Sequence, residues 1–123
     1  MALVLVVDDE DDVRLLLRLQ IAAAGHEVVE SRGGAEAIET LRSGSRRPDC
    51  MVLDLRMPRV DGWTVLDEVR NTEALAELAI LLVSAHADAD DRERSKELGV
   101  KYLLNKPVEQ DHLAKAITCA LKN

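Results

Sequence analysis

Short apolar runs alternate along the chain with longer segments in which apolar residues recur every three or four positions. An apolar run of four to eight residues bounded by turn signals is typical of a buried strand, and the longer recurrence is typical of an amphipathic helix. The runs predict strands at residues 3–7, 27–31, 50–55, 80–84 and 102–104. The longer segments predict helices at residues 13–24, 34–43, 63–71, 88–98 and 110–121.

The predicted helices differ in how much apolar surface they carry. In the first, Asp11 and Asp12 are candidate N-caps and Gly25 is expected to end the helix. The side chains expected to face the core are Val13, Leu16, Leu17, Ile21 and Ala24 in the first helix and Leu113, Ile117 and Leu121 in the last. Residues 90–97 of the fourth helix include no large apolar side chain. A helix that is polar on all sides gains little stability from packing.

Strands that alternate with helices predict one α/β domain over residues 1–123, with a parallel sheet between two layers of helices. In open parallel sheets, ligands bind beyond the carboxyl ends of the strands. The polar residues of the sequence fall at those ends: Asp8 and Asp9 after the first strand, Asp54 after the third, Ser84 after the fourth and Lys106 after the fifth. We therefore expect a site at this edge.

The composition narrows the choice of partner. Hydrophobic residues make up 47% and charged residues 32%, and the net charge of −7 argues against nucleic acid as a direct partner, since phosphate backbones are bound by basic surfaces. A basic protein or a metal cation suits this surface better. The apolar amino terminus is too short for a signal peptide or a membrane span, so we expect a cytoplasmic protein without membrane contact. Cys50 and Cys119 are expected to be buried thiols.

Three carboxylates at one edge repel one another unless they bind a cation. Asp8, Asp9 and Asp54 offer only oxygen ligands, which suits Mg²⁺ or Mn²⁺. Lys106 supplies a positive charge for phosphate oxygens, and Ser84 supplies a hydroxyl. Because an aspartate can act as a nucleophile toward a phosphoryl group, the set predicts phosphoryl chemistry on Asp54.

With these residues in this order, the whole chain resembles a response-regulator receiver domain of two-component signalling. The resemblance is carried by Val6-Val7-Asp8-Asp9, by Asp54-Leu55-Arg56-Met57-Pro58 followed by Asp61-Gly62, by Ser84-Ala85, and by Lys106-Pro107 after Gly99. It implies a flavodoxin-like, doubly wound sheet of five strands in the order 2-1-3-4-5.

The resemblance also implies a role for each matched acid. Asp54 corresponds to the phosphoacceptor. Asp9 corresponds to a direct ligand of Mg²⁺, and Asp8 to a ligand that acts directly or through water. The backbone carbonyl of Arg56 corresponds to a further ligand.

The phosphoryl group itself is implied to meet a second set of residues. Lys106, preceding a cis peptide bond to Pro107, corresponds to the lysine that pairs with the phosphoryl group. Ser84 corresponds to the hydroxyl that moves toward it on activation, and the backbone NH of Ala85 to a donor beside it.

Two features concern how the signal is read out. Receivers usually carry Tyr or Phe three residues before the lysine, and here that position is Leu103. Tyr102 precedes it, and neighbouring strand residues face opposite sides, so Tyr102 is not expected to replace the aromatic switch. Arg56 and His86, two residues beyond Asp54 and Ser84, are hypothesised to tune the lifetime of the phosphoryl group by controlling the attacking water.

The resemblance implies a signalling module that catalyses only its own phosphorylation and dephosphorylation and is not otherwise an enzyme. The donor would be a histidine kinase or a histidine phosphotransfer protein. Phosphorylation would shift the face formed by the fourth helix, fifth strand and fifth helix, which could bind a downstream protein, an output domain or a second copy as a homodimer.

Other interpretations remain open at this point. A Mg²⁺-dependent aspartyl phosphatase or phosphotransferase usually has a second acid two residues after the nucleophile, where this chain has Arg56. A nucleotide or flavin binder would want glycines or hydroxyls after the first strand, where this chain has acids. A degenerate, non-phosphorylated receiver would act as a binding module.

The remaining residues of note are given structural interpretations. Asp61-Gly62 is interpreted as a turn only, Trp63 as a packing residue, and the three histidines as unsuited to metal.

Overall fold

The computed structural model describes residues 1–122. They form a parallel sheet in the order β2-β1-β3-β4-β5, as the resemblance implied. The strands are β1 (Leu3–Val7), β2 (Glu27–Ser31), β3 (Cys50–Asp54), β4 (Ala79–Ser84) and β5 (Tyr102–Asn105). The helices are α1 (Asp11–Ala23), α2 (Gly34–Ser43), α3 (Gly62–Arg70), α4 (Ala89–Glu97) and α5 (Gln110–Lys122), with a 3-10 turn at Glu73–Leu75.

Each face of the sheet carries its own apolar core because successive strand residues point to opposite sides. Leu5 and Leu53 pack in the cluster that includes side chains of α2 and α3. Val6 and Val52 pack in the cluster that includes side chains of α1 and α5. The central strands are therefore apolar on both faces, and their polar residues are confined to their ends.

The outer helices present a narrower apolar face than the sequence predicted. The predictions for Leu16 and Leu121 were wrong: these side chains are 46% and 36% exposed. A partly apolar stripe cannot bury every leucine against a flat sheet, and α5 instead buries the small Ala116 and Ala120. Asp11 and Asp12 lie within the first turn of α1 and do not cap it, since Glu10 holds the N-cap position.

The polar character of α4 is confirmed. Its only buried side chains are Asp91 and Ser95. Its start is fixed by a capping box in which Asp88 accepts a hydrogen bond from the Asp91 amide at 2.8 Å and the Asp91 carboxylate accepts one from the Asp88 amide at 3.2 Å. This helix is held by directional bonds more than by apolar packing.

The cysteine prediction was right for one residue. Cys50 is fully buried in β3, and burial raises the pKa of its thiol to about 12. Cys119 is exposed, which contradicts the expectation for it, because it lies on the outward side of α5. Within residues 1–122, no helix is long and apolar enough to span a bilayer.

Candidate functional site at the carboxyl edge of the sheet

Asp8, Asp9 and Asp54 meet at the carboxyl ends of β1 and β3. Each offers a carboxylate oxygen, and these oxygens lie within 4.8 Å of one another. Asp8 and Asp54 are buried, at 0% and 1% exposure, whereas Asp9 is exposed. The cluster therefore opens to solvent on the side of Asp9.

Lys106 lies over the two buried acids. Its Nζ is 2.9 Å from Oδ2 of Asp8 and 3.3 Å from Oδ1 of Asp54, with Glu10 further away at 3.8 Å. Burial lowers the pKa of Lys106, but its hydrogen bond to Asp8 and the charges of both acids outweigh burial and leave the pKa raised. The lysine therefore stays charged at neutral pH.

The backbone before and after Lys106 is fixed. Its amide donates to the carbonyl of Ser84 at 2.9 Å, and the peptide bond to Pro107 is cis, as the resemblance implied. This hydrogen bond joins the end of β5 to the end of β4, so that the lysine and the Ser84 hydroxyl belong to one edge.

Only one of the two carboxylate oxygens of Asp54 has a hydrogen-bond partner in residues 1–122. Its Oδ1 accepts a hydrogen bond from the Arg56 amide at 3.3 Å, whereas its buried Oδ2 has no hydrogen-bond partner within residues 1–122. Burial, and then the neighbouring charge of Asp8, raise the pKa of Asp54 to about 6, against the opposing effects of Lys106 and the Arg56 amide. A buried carboxylate oxygen without a partner is costly unless a ligand reaches it.

This donor set fits a hard divalent cation. Two buried acids and one exposed acid offer oxygens only, and Mg²⁺ or Mn²⁺ prefers oxygen ligands and keeps several waters. The unpartnered Oδ2 of Asp54 points to the same conclusion, because a cation would compensate its charge.

Asp8 is held by a residue that the sequence interpretation missed. Arg14, which is buried in α1, donates from Nη1 to the backbone carbonyl of Asp8 at 2.9 Å. It is also paired with Asp11 at 2.6 Å and with Glu30 at 3.2 Å. The spacing of Arg14 from Asp11 was visible in the sequence, but its contact with Glu30 on β2 was not. Asp8 itself accepts from the Glu10 amide at 2.9 Å and does not cap α1.

Ser84 and its neighbours complete the edge. Ser84 is fully buried, and its hydroxyl accepts a hydrogen bond from the His86 amide at 3.3 Å. Ala85 and His86, which follow Ser84 in the chain, are exposed. The predicted hydroxyl is therefore buried at the end of the strand next to β3, while the predicted tuning residue His86 faces solvent.

Leu103 and Tyr102 point to opposite faces of the sheet, as predicted. Leu103 packs against the cluster that contains Trp63, and Tyr102 packs against the cluster beneath α1 and α5. Tyr102 therefore lies on the face of the sheet opposite to Leu103.

Asp61 and Gly62 do more than form the predicted turn. Asp61 caps α3 by accepting a hydrogen bond from the Thr64 amide at 2.9 Å. Gly62 donates its amide to Leu55 at 3.0 Å, and a Cβ at this position would press on the carbonyl of Asp54. Trp63 is a packing residue, as predicted: it is 6% exposed, with the guanidinium of Arg94 at 4.5 Å from its ring.

The comparisons with known proteins assign the family. The family model described as the response regulator receiver domain matches residues 4–118. The chain belongs to the response regulator receiver family. Receiver domains serve two-component signalling, and the four matched motifs of this chain all lie at the edge described above.

The relatives of this receiver include larger proteins. It is 29% identical to the sensor histidine kinase CheAY of Helicobacter pylori over 98% of this chain and 15% of the kinase. It is 31% identical to the probable transcriptional regulator ycf27 of Porphyridium aerugineum over 97% of this chain and 48% of that protein. The chain thus spans less than half of the length of these two relatives.

The solved structures agree on the fold. The chemotaxis protein CheY4 of Vibrio cholerae superposes with a TM-score of 0.88 at 27% identity, over 98% of both chains. The Mn²⁺-bound form of the response regulator Rcp1 superposes with a TM-score of 0.81 at 26% identity, over 94% of this chain and 89% of that chain.

Proposed function

We propose that residues 1–123 act as one phosphoacceptor domain in the cytoplasm, in which Asp54 receives a phosphoryl group from a histidine kinase or a histidine phosphotransfer protein. The observation that carries the proposal is the position of Asp54. It lies 3.3 Å from Lys106 and within 4.8 Å of the oxygens of Asp8 and Asp9, with one buried oxygen unpartnered.

A bound Mg²⁺ or Mn²⁺ would neutralise the charge of the incoming phosphoryl oxygens. The residues proposed to hold it are Asp8, Asp9, Asp54 and the backbone carbonyl of Arg56. The acidic cluster supports the proposal, and so does the Mn²⁺-bound form of Rcp1 among the similar structures.

In the proposed transfer step, Asp54 is the nucleophile, and Lys106, Ala85 and Ser84 stabilise the phosphoryl oxygens. One carboxylate oxygen of Asp54 attacks phosphorus as the bond from phosphorus to the donor's imidazole nitrogen breaks, which gives an acyl phosphate. The nitrogen keeps the bonding electron pair, and a proton on the other ring nitrogen of the phosphohistidine leaves the histidine neutral. Lys106, charged and 12% exposed, is proposed to move its ion pair from Asp54 to the phosphoryl oxygens. The backbone NH of Ala85 and the hydroxyl of Ser84 are proposed to donate to the same oxygens.

Phosphorylation is proposed to shift a two-state equilibrium, because the phosphoryl group binds better when Ser84 has moved toward it. The affected surface is the face of α4, β5 and α5. Since Leu103 has no hydroxyl, this receiver would report its state through α4 more than through an aromatic side chain. The output would be a downstream protein, a further domain or a second copy.

The rate of dephosphorylation is proposed to depend on Arg56 and His86, which flank the site. Arg56→Ala and His86→Ala are expected to change the first-order loss of phosphate from Asp54, followed by phosphate release. Unchanged rates in both variants would contradict this proposal.

The proposed function is tested by intact mass after incubation with acetyl phosphate and Mg²⁺. Wild type is expected to gain one phosphoryl group, and Asp54→Asn none. Equal labelling of the two would exclude Asp54 as the acceptor. If wild type neither labels nor binds beryllofluoride, a degenerate receiver is favoured. An aspartyl phosphatase is disfavoured, because the position two residues after Asp54 holds Arg56, whose side chain is paired with Asp91 at 2.7 Å.

A further inference from the structure

Asp91 is one of the two carboxylates in the capping box that starts α4. Asp91 is 7% exposed, although it belongs to a helix without large apolar residues. Its carboxylate accepts a hydrogen bond from the Asp88 amide at 3.2 Å within the capping box. A buried carboxylate needs a positive partner, and in the described part of the chain that partner comes from outside the helix.

The partner is Arg56. Its Nη2 lies 2.7 Å from Oδ2 of Asp91, 35 residues away in sequence. The hydrogen bond from Arg56, then the other contacts of the box, hold the pKa of Asp91 below its ordinary value. The ion pair is therefore intact at neutral pH. Because Arg56 is half exposed and Asp91 is nearly buried, the pair is only partly screened by solvent.

The other end of Arg56 belongs to the candidate site. Its backbone amide donates to Oδ1 of Asp54 at 3.3 Å. One residue thus contacts the acceptor carboxylate through its backbone and the first turn of α4 through its side chain. The side chain of Leu103, which stands where receivers carry an aromatic residue, has no polar group to offer a second connection, and only its backbone carbonyl accepts a hydrogen bond from α4, from Arg92 at 3.4 Å.

We infer that Arg56 is a positioning residue that ties the first turn of α4 to the acidic site, so that the occupancy of the site and the stability of α4 depend on each other. The half of this inference that concerns occupancy rests on the proposed function. The half that concerns the tether does not, since the ion pair joins two side chains of this chain, Arg56 and Asp91.

The tether is tested by hydrogen exchange of the α4 amides with the chelator EDTA present. Arg56→Met keeps the aliphatic stem and removes the charge, and it is expected to speed exchange about fivefold, as loss of one charge-assisted hydrogen bond predicts. Arg56→Lys restores a charge and should recover most of the protection. Arg42→Met is the matched control, because it removes an ion pair to Glu68 between α2 and α3 and should leave α4 unchanged. Equal α4 exchange in wild type and Arg56→Met would overturn the tether.

The dependence on occupancy is tested with Mg²⁺ alone. If Mg²⁺ protects α4 through the tether, cutting the tether must also weaken Mg²⁺ binding. By linkage, binding weakens by the same factor as the Mg²⁺-induced protection of α4. Mg²⁺ is expected to slow α4 exchange in wild type more than in Arg56→Met. Calorimetry should show a higher dissociation constant for Mg²⁺ in Arg56→Met than in wild type. The ratio of the two constants should equal the ratio of the Mg²⁺-induced slowing of α4 exchange in the two proteins.

The outcomes separate the inference from the proposed function. If Mg²⁺ binds wild type but protects α4 equally in both proteins, the link through Arg56 is overturned and the metal site stands. If wild type binds Mg²⁺ no better than Asp54→Asn does, the proposed metal site is overturned and the link with it. The exchange measured with EDTA still decides the tether in that case.

Discussion

The helices α3 and α4 each span nine residues and are fixed in different ways. In α3, the buried residues are Gly62, Trp63, Val65, Leu66 and Val69. In α4, the buried residues are Asp91 and Ser95. Both helices begin with an aspartate cap, so the caps do not explain the difference.

The contrast indicates where this receiver can change shape. Apolar packing is non-directional and sums over many contacts, so α3 resists displacement as a body. The bonds of α4 are few and directional, and each depends on charge. Arg56 reaches Asp91, Arg94 lies over Trp63, and Arg92 donates to the Leu103 carbonyl at 3.4 Å. We therefore expect a change of charge at the neighbouring site to act on α4 more than on α3.

The largest expected effect comes from deleting a buried apolar side chain of α3. Leu66→Ala should lower the free energy of unfolding by about 3 kcal/mol, since it deletes a fully buried side chain of α3 and leaves a cavity. Urea denaturation followed by circular dichroism measures it. No residue of α4 should give a loss of this size. A comparable loss from Ser95→Ala would break the comparison.

The second effect concerns the buried charge of the site. Because the pKa of Asp54 is about 6 in the folded protein and 3.8 is its ordinary value, ionisation is disfavoured by folding, and stability falls as the pH rises through this window. In EDTA at pH 7, Asp54→Asn should therefore raise the free energy of unfolding by about 2–3 kcal/mol, because the raised pKa already includes the attraction of Lys106. The difference should shrink as the pH is lowered from 7 toward 4. A constant difference over this range would contradict the raised pKa.

The two caps provide a matched pair. Asp61→Ala and Asp88→Ala each remove one carboxylate that accepts from a helix amide, a loss of about 1 kcal/mol. For Asp61, the loss should appear in global unfolding by urea. For Asp88, it should appear mainly as faster hydrogen exchange confined to α4. Loss of global stability by the same amount in both variants would mean that α4 unfolds only with the whole protein.

The smallest effect concerns the contact between the two helices. Arg94→Gln removes an exposed guanidinium that lies over the buried ring of Trp63, a contact worth about 0.5 kcal/mol. Trp63 is the only tryptophan of the chain, so its fluorescence reports on this contact without interference. We expect a change in emission with little change in the urea midpoint. The same emission in both proteins would show that Arg94 does not hold α4 against α3.

The sequence predicted what depends on local pattern. The central strands are apolar on both faces, and their ends place Asp8, Asp54 and Ser84 at one edge without further information. Strand order came from the resemblance, because hydrophobic pattern does not encode which strands are neighbours. The errors at Leu16 and Leu121 have one cause: periodicity marks a stripe but does not say how wide a stripe the sheet can cover.

The contacts that escaped prediction join residues distant in the chain. Arg14 reaches Glu30 on β2, and Arg56 reaches Asp91 on α4. Read along the sequence, each of these charged side chains is typical of a solvated surface, and only the folded arrangement pairs them. The candidate site could be located from sequence, whereas its supporting ion pairs could not.

Gly62 has a consequence for which substitutions this chain can tolerate. Its backbone lies so close to β3 that a side chain at this position would displace the strand that presents Asp54, although Gly62 has no chemical group to contribute. In a complete substitution scan, position 62 should tolerate no replacement and would be scored with the reactive residues. Its intolerance would report the close approach of two backbones and not a chemical role.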